Sequence, residues 1–300
     1  MPLPPPSLPI FSDQYELIDF GDGRKLERFG DYRLDRYSPA AEGFSRQKES
    51  VWQQADSYYR REEGGQGRWH NERRLPSTWP LSFGKLTFLL KKTDFGHLGL
   101  FPEQLTNWQW IYQTLLTFRE QEKRPARVLN LFAYTGGSTL AAALAGAEVT
   151  HVDGAKNVVT WARENSKLSA LADAPIRWLT EDCTKFVARE RRRGNRYDAI
   201  ILDPPTYGHG PKGQPWKIEE HLSPLLENLG AILSTKVALF LLTWHSKTIS
   251  RRSLNDQLTK TIPLDRFQQP TFSPLQIPSR YGAALPSGQQ VSLLGQNLTP

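Results

Sequence analysis

Residues 126–137, Ala-Arg-Val-Leu-Asn-Leu-Phe-Ala-Tyr-Thr-Gly-Gly, constrain this chain more than any other stretch. A short apolar run stops at a glycine pair, and an amphipathic segment over 138–146 begins at once. That pattern predicts a buried strand, a tight turn and a helix start, the first βα unit of a nucleotide-binding sheet. A second apolar run, Glu148-Val-Thr-His-Val-Asp153, ends in an acid. A helix N-terminus behind glycines lets backbone N–H groups approach a ligand closely. An acid at the tip of the next strand accepts ribose hydroxyls. The two features together point to an adenosine-containing ligand.

The alternation continues to the end of the chain. Patterning predicts a helix over 156–168 with Val159, Ala162 and Leu168 inward, and a strand over 176–180. A helix over 184–193, a strand over 197–202, a Gly/Pro loop to Pro215 and a helix over 216–229 follow. Then come a strand over 236–243, a helix over 248–261, and two weaker strands near 266–272 and 290–294. An alternating βα chain closed by a late β-hairpin implies a doubly wound α/β sheet with one reversed strand. Arg191-Arg192-Arg193-Gly194 suits a helix C-terminus, and the same triplet also suits a phosphate contact.

The front of the chain reads differently. Residues 1–12 are Pro-rich and predict a loose arm. Short runs over 15–20, 25–29 and 32–37, split by Gly21-Asp22-Gly23 and Gly30-Asp31, predict antiparallel strands joined by tight turns. Residues 38–80 are poor in period. They hold Trp52, Tyr58, Tyr59, Trp69 and Trp79 among Arg60, Arg61, Arg68, Arg73 and Arg74, with Gly64-Gly65-Gln66-Gly67 as a turn. Aromatics interleaved with arginines stack bases and hold phosphates; equally, they form a small core with a solvated basic face. With a strand over 86–92, residues 13–97 make a small β-rich domain. The Gly/Pro-punctuated segment 96–104 leads into a helix over 103–122, whose Leu105, Trp108, Ile111, Tyr112, Leu115 and Phe118 share one face. Residues 98–300 form the second domain.

The chain carries 38 Lys and Arg against 31 Asp and Glu, a net charge of +7, which suits a phosphate-bearing partner such as RNA. A single cysteine excludes a disulfide framework and a Cys-rich zinc site. His70, His97, His151, His209, His221 and His245 are scattered, so no metal is expected. No apolar run approaches the roughly 20 residues that span a bilayer. The first residues lack the basic flank and apolar stretch of a signal peptide, so a cytoplasmic location is expected.

Four stations, each expected at the carboxyl end of a strand, carry a resemblance. They are Asn130-Leu-Phe-Ala-Tyr-Thr-Gly-Gly137, Asp153, Glu181-Asp182-Cys183 and Asp203-Pro-Pro-Thr-Tyr207. Over about residues 85–300 the chain resembles class I S-adenosylmethionine-dependent methyltransferases. With Gly99-Leu-Phe-Pro-Glu-Gln104 added, it is similar to the ribosomal RNA large-subunit methyltransferases, including their cytosine-C5 branch. The resemblance implies a seven-stranded Rossmann-like sheet preceded by a small, possibly RNA-binding, β-rich domain. It implies S-adenosyl-L-methionine as cofactor, held by Gln104, Phe132, Ala133, Tyr134, Thr135, Gly136, Asp153, Asp182 and Cys183. It implies Asp203, Pro204, Pro205 and Tyr207 as catalytic residues, and ribosomal RNA as partner. A nicotinamide enzyme would show Gly-x-Gly-x-x-Gly in the first turn; Tyr134-Thr-Gly-Gly-Ser138 lacks that spacing.

Methyl transfer from a sulfonium is an in-line displacement, so the protein supplies alignment and desolvation. Asp203 and the carbonyl of Pro204 are expected to orient a nucleophile. Two prolines stiffen the loop, and Tyr207 is placed to stack on a flipped base. C5 methylation of cytosine needs a thiolate. The cytosine-C5 branch carries its cysteine just after the fifth strand, where this chain has Thr243-Trp-His-Ser246, and Cys183 lies at the adenine station instead. A base nitrogen is therefore the expected target. His245 is either an acceptor or phosphate contact or a structural residue, and the Lys212-Gly213 loop is placed to close over substrate. The alternatives are a methyltransferase for a small molecule or protein, and a catalytically silent RNA-binding protein of the same fold.

Overall fold

In the computed structural model, residues 10, 13–62, 65–70, 75–211 and 213–298 are described. The expectations for the 1–12 arm (apart from Ile10), Gly64, Arg73, Arg74 and Lys212 lie outside those residues. The chain divides into two compact units, Met1–Leu105 with Leu275–Ser287, and Thr106–Pro274 with Gly288–Pro300. The sequence pattern placed one boundary near residue 97; the chain also returns to the small unit over Leu275–Ser287.

In the small unit, short alternating runs form β1 (Tyr15–Gly21), β2 (Arg24–Phe29) and β3 (Tyr32–Tyr37), an antiparallel meander. Its turns use Gly23 and Gly30 at φ 70° and 66°, the left-handed region that glycine enters without strain. The weakly periodic segment after it holds α1 (Glu49–Trp52), β4 (Ser57–Arg61) and β5 (Gly67–His70), which extend the sheet to five strands. A separate hairpin pairs β6 (Thr78–Phe83) with β7 (Leu86–Lys91). The fully buried Asp19 orders the segment before α1. Its carboxylate accepts the N–H groups of Gln47 and Lys48 and the Trp52 indole N–H, the last at 2.9 Å. Such a long-range anchor leaves no periodic trace. Trp52, Tyr59 and Trp79 are buried core, whereas Arg60, Arg61 and Arg68 are exposed.

A 3-10 turn at Pro102–Gln104 precedes α2 (Leu105–Glu122), which belongs to the large unit from Thr106 on. Its Trp108, Ile111, Leu115 and Phe118 are buried, as their spacing requires. The alternation then runs β8 (Arg127–Leu131), α3 (Gly137–Leu144), β9 (Glu148–Asp153), α4 (Lys156–Leu168), β10 (Ile176–Thr180), α5 (Cys183–Arg193) and β11 (Ala199–Leu202). A small hairpin, β12 (Tyr207–His209) with β13 (Pro215–Lys217), stands where the sequence suggested only a loop. After it come α6 (Ile218–Ile232), β14 (Leu239–Trp244), α7 (Arg251–Thr261), β15 (Thr271–Ile277) and β16 (Leu285–Leu294).

The seven-stranded sheet has the order β10-β9-β8-β11-β14-β16-β15, parallel from β10 to β14, with β16 antiparallel to β14. Both faces of β11 and β14 are covered, which is why those strands read as unbroken apolar runs. Chain order reverses between β8 and β11, and a crevice opens at such a point along the carboxyl edge. Leu168 departs from expectation. It is 45% exposed, because nine residues after Val159 at 100° per residue bring it to the opposite face of α4.

Candidate active site

The loop after β8 is held in an uncommon backbone shape. Phe132, Tyr134 and Gly136 have φ of 53°, 49° and 92°. For the two aromatic residues that conformation is unfavourable and persists only where the surroundings over-determine it. They do. Ala133 N–H donates to the Val152 carbonyl at 3.2 Å, Gly136 N–H to the Ala133 carbonyl at 3.0 Å, and the Asn165 amide to the Thr135 carbonyl at 2.9 Å. Gly137 packs flat against the Trp108 indole, where any Cβ would collide with the ring.

A buried polar chain lies beneath the loop. Asn130 Nδ2 donates to Thr139 Oγ1 at 2.9 Å, and Thr139 Oγ1 lies 2.9 Å from His151 Nδ1. Thr139 Oγ1 thus sits between the Asn130 amide and the His151 ring, whose Nε2 is buried without a hydrogen-bond partner among the described residues. Burial, aided by Arg163, pushes the His151 pKa down to about 3, so the ring is neutral.

The second station is built by the loop itself. Asp153, at the tip of β9, accepts Tyr134 N–H on Oδ2 and Ala155 N–H on Oδ1, each at 2.9 Å. Burial raises its pKa, and the bonds from Ala155, Tyr134 and Gly154 oppose that rise. At the third station Asp182 caps α5, accepting Lys185 N–H at 3.0 Å and the Thr184 hydroxyl. Its Oδ2 takes the side-chain amide of Gln214 at 2.7 Å. Burial acts to raise the Asp182 pKa, but these hydrogen bonds outweigh it and the net shift is downward. Cys183 is buried, and its Sγ accepts Phe132 N–H at 3.4 Å. Burial raises the thiol pKa, so it stays protonated.

The fourth station follows β11. Asp203 N–H reaches the Leu131 carbonyl at 3.5 Å, which keeps the loops after β8 and β11 in register. The Thr243 hydroxyl donates to Asp203 Oδ1 at 2.5 Å, and His245 Nε2 lies 3.6 Å from the same oxygen. Pro204 is buried and Pro205 exposed. The Pro205 carbonyl accepts the Trp216 indole N–H at 2.7 Å, and that indole meets the Phe132 ring at 4.7 Å between centroids. Tyr207 is 57% exposed, with its hydroxyl 3.2 Å from His209 Nε2.

Phe132, Ala133, Tyr134, Thr135, Gly136, Asp153, Asp182, Cys183 and Asp203 thus share one sheet edge. Gln104 is buried in the small unit. Sequence reasoning passed over Gln214 and Thr243, which carry no motif, and took Trp216 only as a helix start. The β12/β13 hairpin is what brings Gln214 to Asp182 and Trp216 to Pro205. Among the described residues, no group of three or more His, Cys, Asp and Glu is placed to hold a metal, and no helix is long and apolar enough to cross a membrane.

Asp153, Asp182 and Asp203 line the edge beside the Phe132 ring, at the point where a doubly wound sheet opens a crevice for ligands. Fold and edge together define a doubly wound α/β protein with its crevice at the carboxyl edge of the sheet. A family model described as S-adenosylmethionine-dependent methyltransferase matches residues 55–238, and the chain belongs to that family; its cofactor is S-adenosylmethionine. A SAM-dependent methyltransferase from Agrobacterium tumefaciens is 38% identical in sequence. It aligns at TM-score 0.87 over 94% of this chain and 91% of its own. A Streptococcus mutans structure at 18% identity and TM-score 0.70, covering 94% of this chain and 75% of its own, shares the fold. The ribosomal RNA large subunit methyltransferase K/L of Pseudoalteromonas atlantica is 31% identical over 193 residues. Those are 61% of this chain and 26% of that protein, so the chain spans about a quarter of that relative.

Proposed function

We propose that this protein transfers a methyl group from S-adenosylmethionine to a base nitrogen of RNA, ribosomal RNA foremost. The observation that carries the reading is the Asp203-Pro-Pro loop after β11. Its acid is anchored by Thr243 and its Pro205 carbonyl by Trp216, beside the loop after β8. The names of the K/L relatives support RNA as the acceptor, as do the +7 charge and the exposed Arg60, Arg61 and Arg68 of the small unit.

When bound, the cofactor supplies an activated methyl carbon on a sulfonium. Asp153 holds the ribose hydroxyls, since its two oxygens are already aimed by Tyr134 and Ala155 N–H groups. Asp182 and the backbone of Cys183 hold the adenine end. Phe132, Ala133, Tyr134, Thr135 and Gly136 enclose the methionine end. Asp203 and the Pro204 carbonyl orient the accepting nitrogen for in-line attack, while Pro205, fixed by Trp216, keeps that loop rigid. Tyr207, largely exposed on β12, stacks on the extruded base and offsets part of the few kcal/mol that extrusion costs. Cys183 is protonated and buried at the other end of the edge, so covalent methylation at cytosine C5 is not the chemistry. A cytoplasmic site of action belongs to the same proposal.

The test is transfer of tritium from labelled donor into total RNA, and into protein extract, from a strain lacking the gene, followed by nucleoside analysis. Label in an N-methylated nucleoside supports the reading. Label confined to protein or small molecules, or in 5-methylcytidine, contradicts it.

A further inference from the structure

We infer that His245 is a catalytic residue for this reaction, the group that takes the proton released when the acceptor nitrogen is methylated, with Asp203 as its partner. The inference rests on the methyl-transfer reading above and adds an acid–base step to it. A neutral exocyclic amino nitrogen attacks the methyl carbon, the carbon–sulfur bond breaks, and its electron pair stays on sulfur. The nitrogen is then left with a positive charge and a surplus proton. A base at hand removes that proton as the charge develops.

The carboxyl ends of β11 and β14 bring such a base to the catalytic loop. His245 follows directly on β14, and its Nε2 lies 3.6 Å from Asp203 Oδ1. That separation is too long to commit the neutral ring to a hydrogen bond, yet short enough for the acid to hold the ring once it is charged. Both side chains are partly open, 41% and 34% exposed, so a base can reach them. The Thr243 hydroxyl, which can only donate to a carboxylate, fixes the acid from the same strand.

The opposite side of the ring is shaped for it. Gly288 in β16 has φ 123°, and a Cβ there would lie 2.7 Å from His245 Nδ1. Only glycine both adopts that backbone and leaves room for the imidazole. Among the described residues, charged groups lie on the elements around the ring. Glu219 of α6 accepts the Ser246 hydroxyl at 3.1 Å, Arg251 of α7 holds Gln289 at 2.7 Å, and Lys247 lies two residues along. Asp203 of the β11 loop lies in ion-pair range of the ring.

The step balances. The proton leaves the methylated nitrogen for His245 Nε2, the imidazolium pairs with Asp203, and release of the proton to water restores the ring. The inference is tested with the full chain, tritiated donor and unmethylated RNA. The rate of transfer is measured between pH 5 and pH 9 for wild type, His245→Gln, His245→Asn and Asp203→Asn, with donor affinity by calorimetry as the check on folding. Wild type is expected to lose rate tenfold per pH unit on an acid limb. Both His245 variants are expected to lose about 10²–10⁴-fold in kcat, to lose the acid limb, and to bind donor within about twofold of wild type. Asp203→Asn is expected to move the limb as well as lower the rate. His245 variants within about threefold of wild type, or an acid limb that persists in them, overturn the inference alone. A wild-type rate that is flat across pH 5–7 overturns it even if neither variant folds. Failure of wild type to label RNA overturns the substrate reading and takes the inference with it.

Discussion

Cys183 Sγ accepts the backbone N–H of Phe132 at 3.4 Å, and this bond joins the start of α5 to the strained loop after β8. The thiol in turn points at the Val152 carbonyl, 3.8 Å away, so one small side chain links three neighbouring strand ends. A cysteine used this way is a packing group.

Its burial, which raises the thiol pKa, predicts chemical silence. In native protein at pH 7.5, labelling by iodoacetamide is expected to be at least about 100-fold slower than in urea-unfolded protein. No covalent adduct is expected with RNA carrying 5-fluorocytosine. Rapid native labelling, or a trapped adduct, would show a nucleophile.

Asp153 is expected to dominate cofactor affinity. Asp153→Asn keeps the shape but turns one acceptor oxygen into a donor, which faces either a backbone N–H or a ribose hydroxyl. Hydrogen bonds to a charged group contribute about 1.5–3 kcal/mol, so donor affinity measured by calorimetry should fall at least about tenfold. A change under twofold would remove Asp153 from the site.

Gly137 tests the packing under the site. Gly137→Ala drives a methyl into the Trp108 indole, and overpacking of this kind costs about 1–3 kcal/mol. The urea midpoint should drop, and Gly137→Ala should lower it less in a Trp108→Leu background than in wild type. Equal midpoints for Gly137→Ala and wild type would mean that the indole moves aside freely.

His151 gives the fold a defined acid sensitivity. Its folded pKa is depressed to about 3 from 6.5 by burial. Between those values the unfolded chain binds a proton that the folded chain refuses, so stability falls as pH drops from 6.5 toward 3. His97, pushed down to about 4 mainly by burial, adds a second contribution of the same sign in the small unit. Urea melts of His151→Gln across pH 4–7 should show a shallower loss than wild type. Parallel curves would place the sensitivity elsewhere.

Much of the large unit was legible because parallel strands and their helices leave long apolar periods. The four stations were legible because each ends such a period. Three features were not. Asp19 orders residues 47–52 through bonds made 28 to 33 positions away, which no local window sees. The β12/β13 hairpin is three residues on each side, too short for alternation to register, yet it carries Gln214 and Trp216 to the site. Asp203 meets Thr243 and His245 only because β11 and β14 are sheet neighbours, a fact of topology.

In the proposed reaction the carboxyl edge between β10 and β14 seats S-adenosylmethionine with its methyl group toward Asp203. The most direct measurement is a crystal structure with S-adenosylhomocysteine bound. Ribose hydroxyls are expected on Asp153, adenine beside Asp182 and Cys183, and the sulfur facing the Asp203-Pro204-Pro205 loop. Density for the nucleoside at any other surface, or an edge that stays closed at saturating ligand, would contradict it.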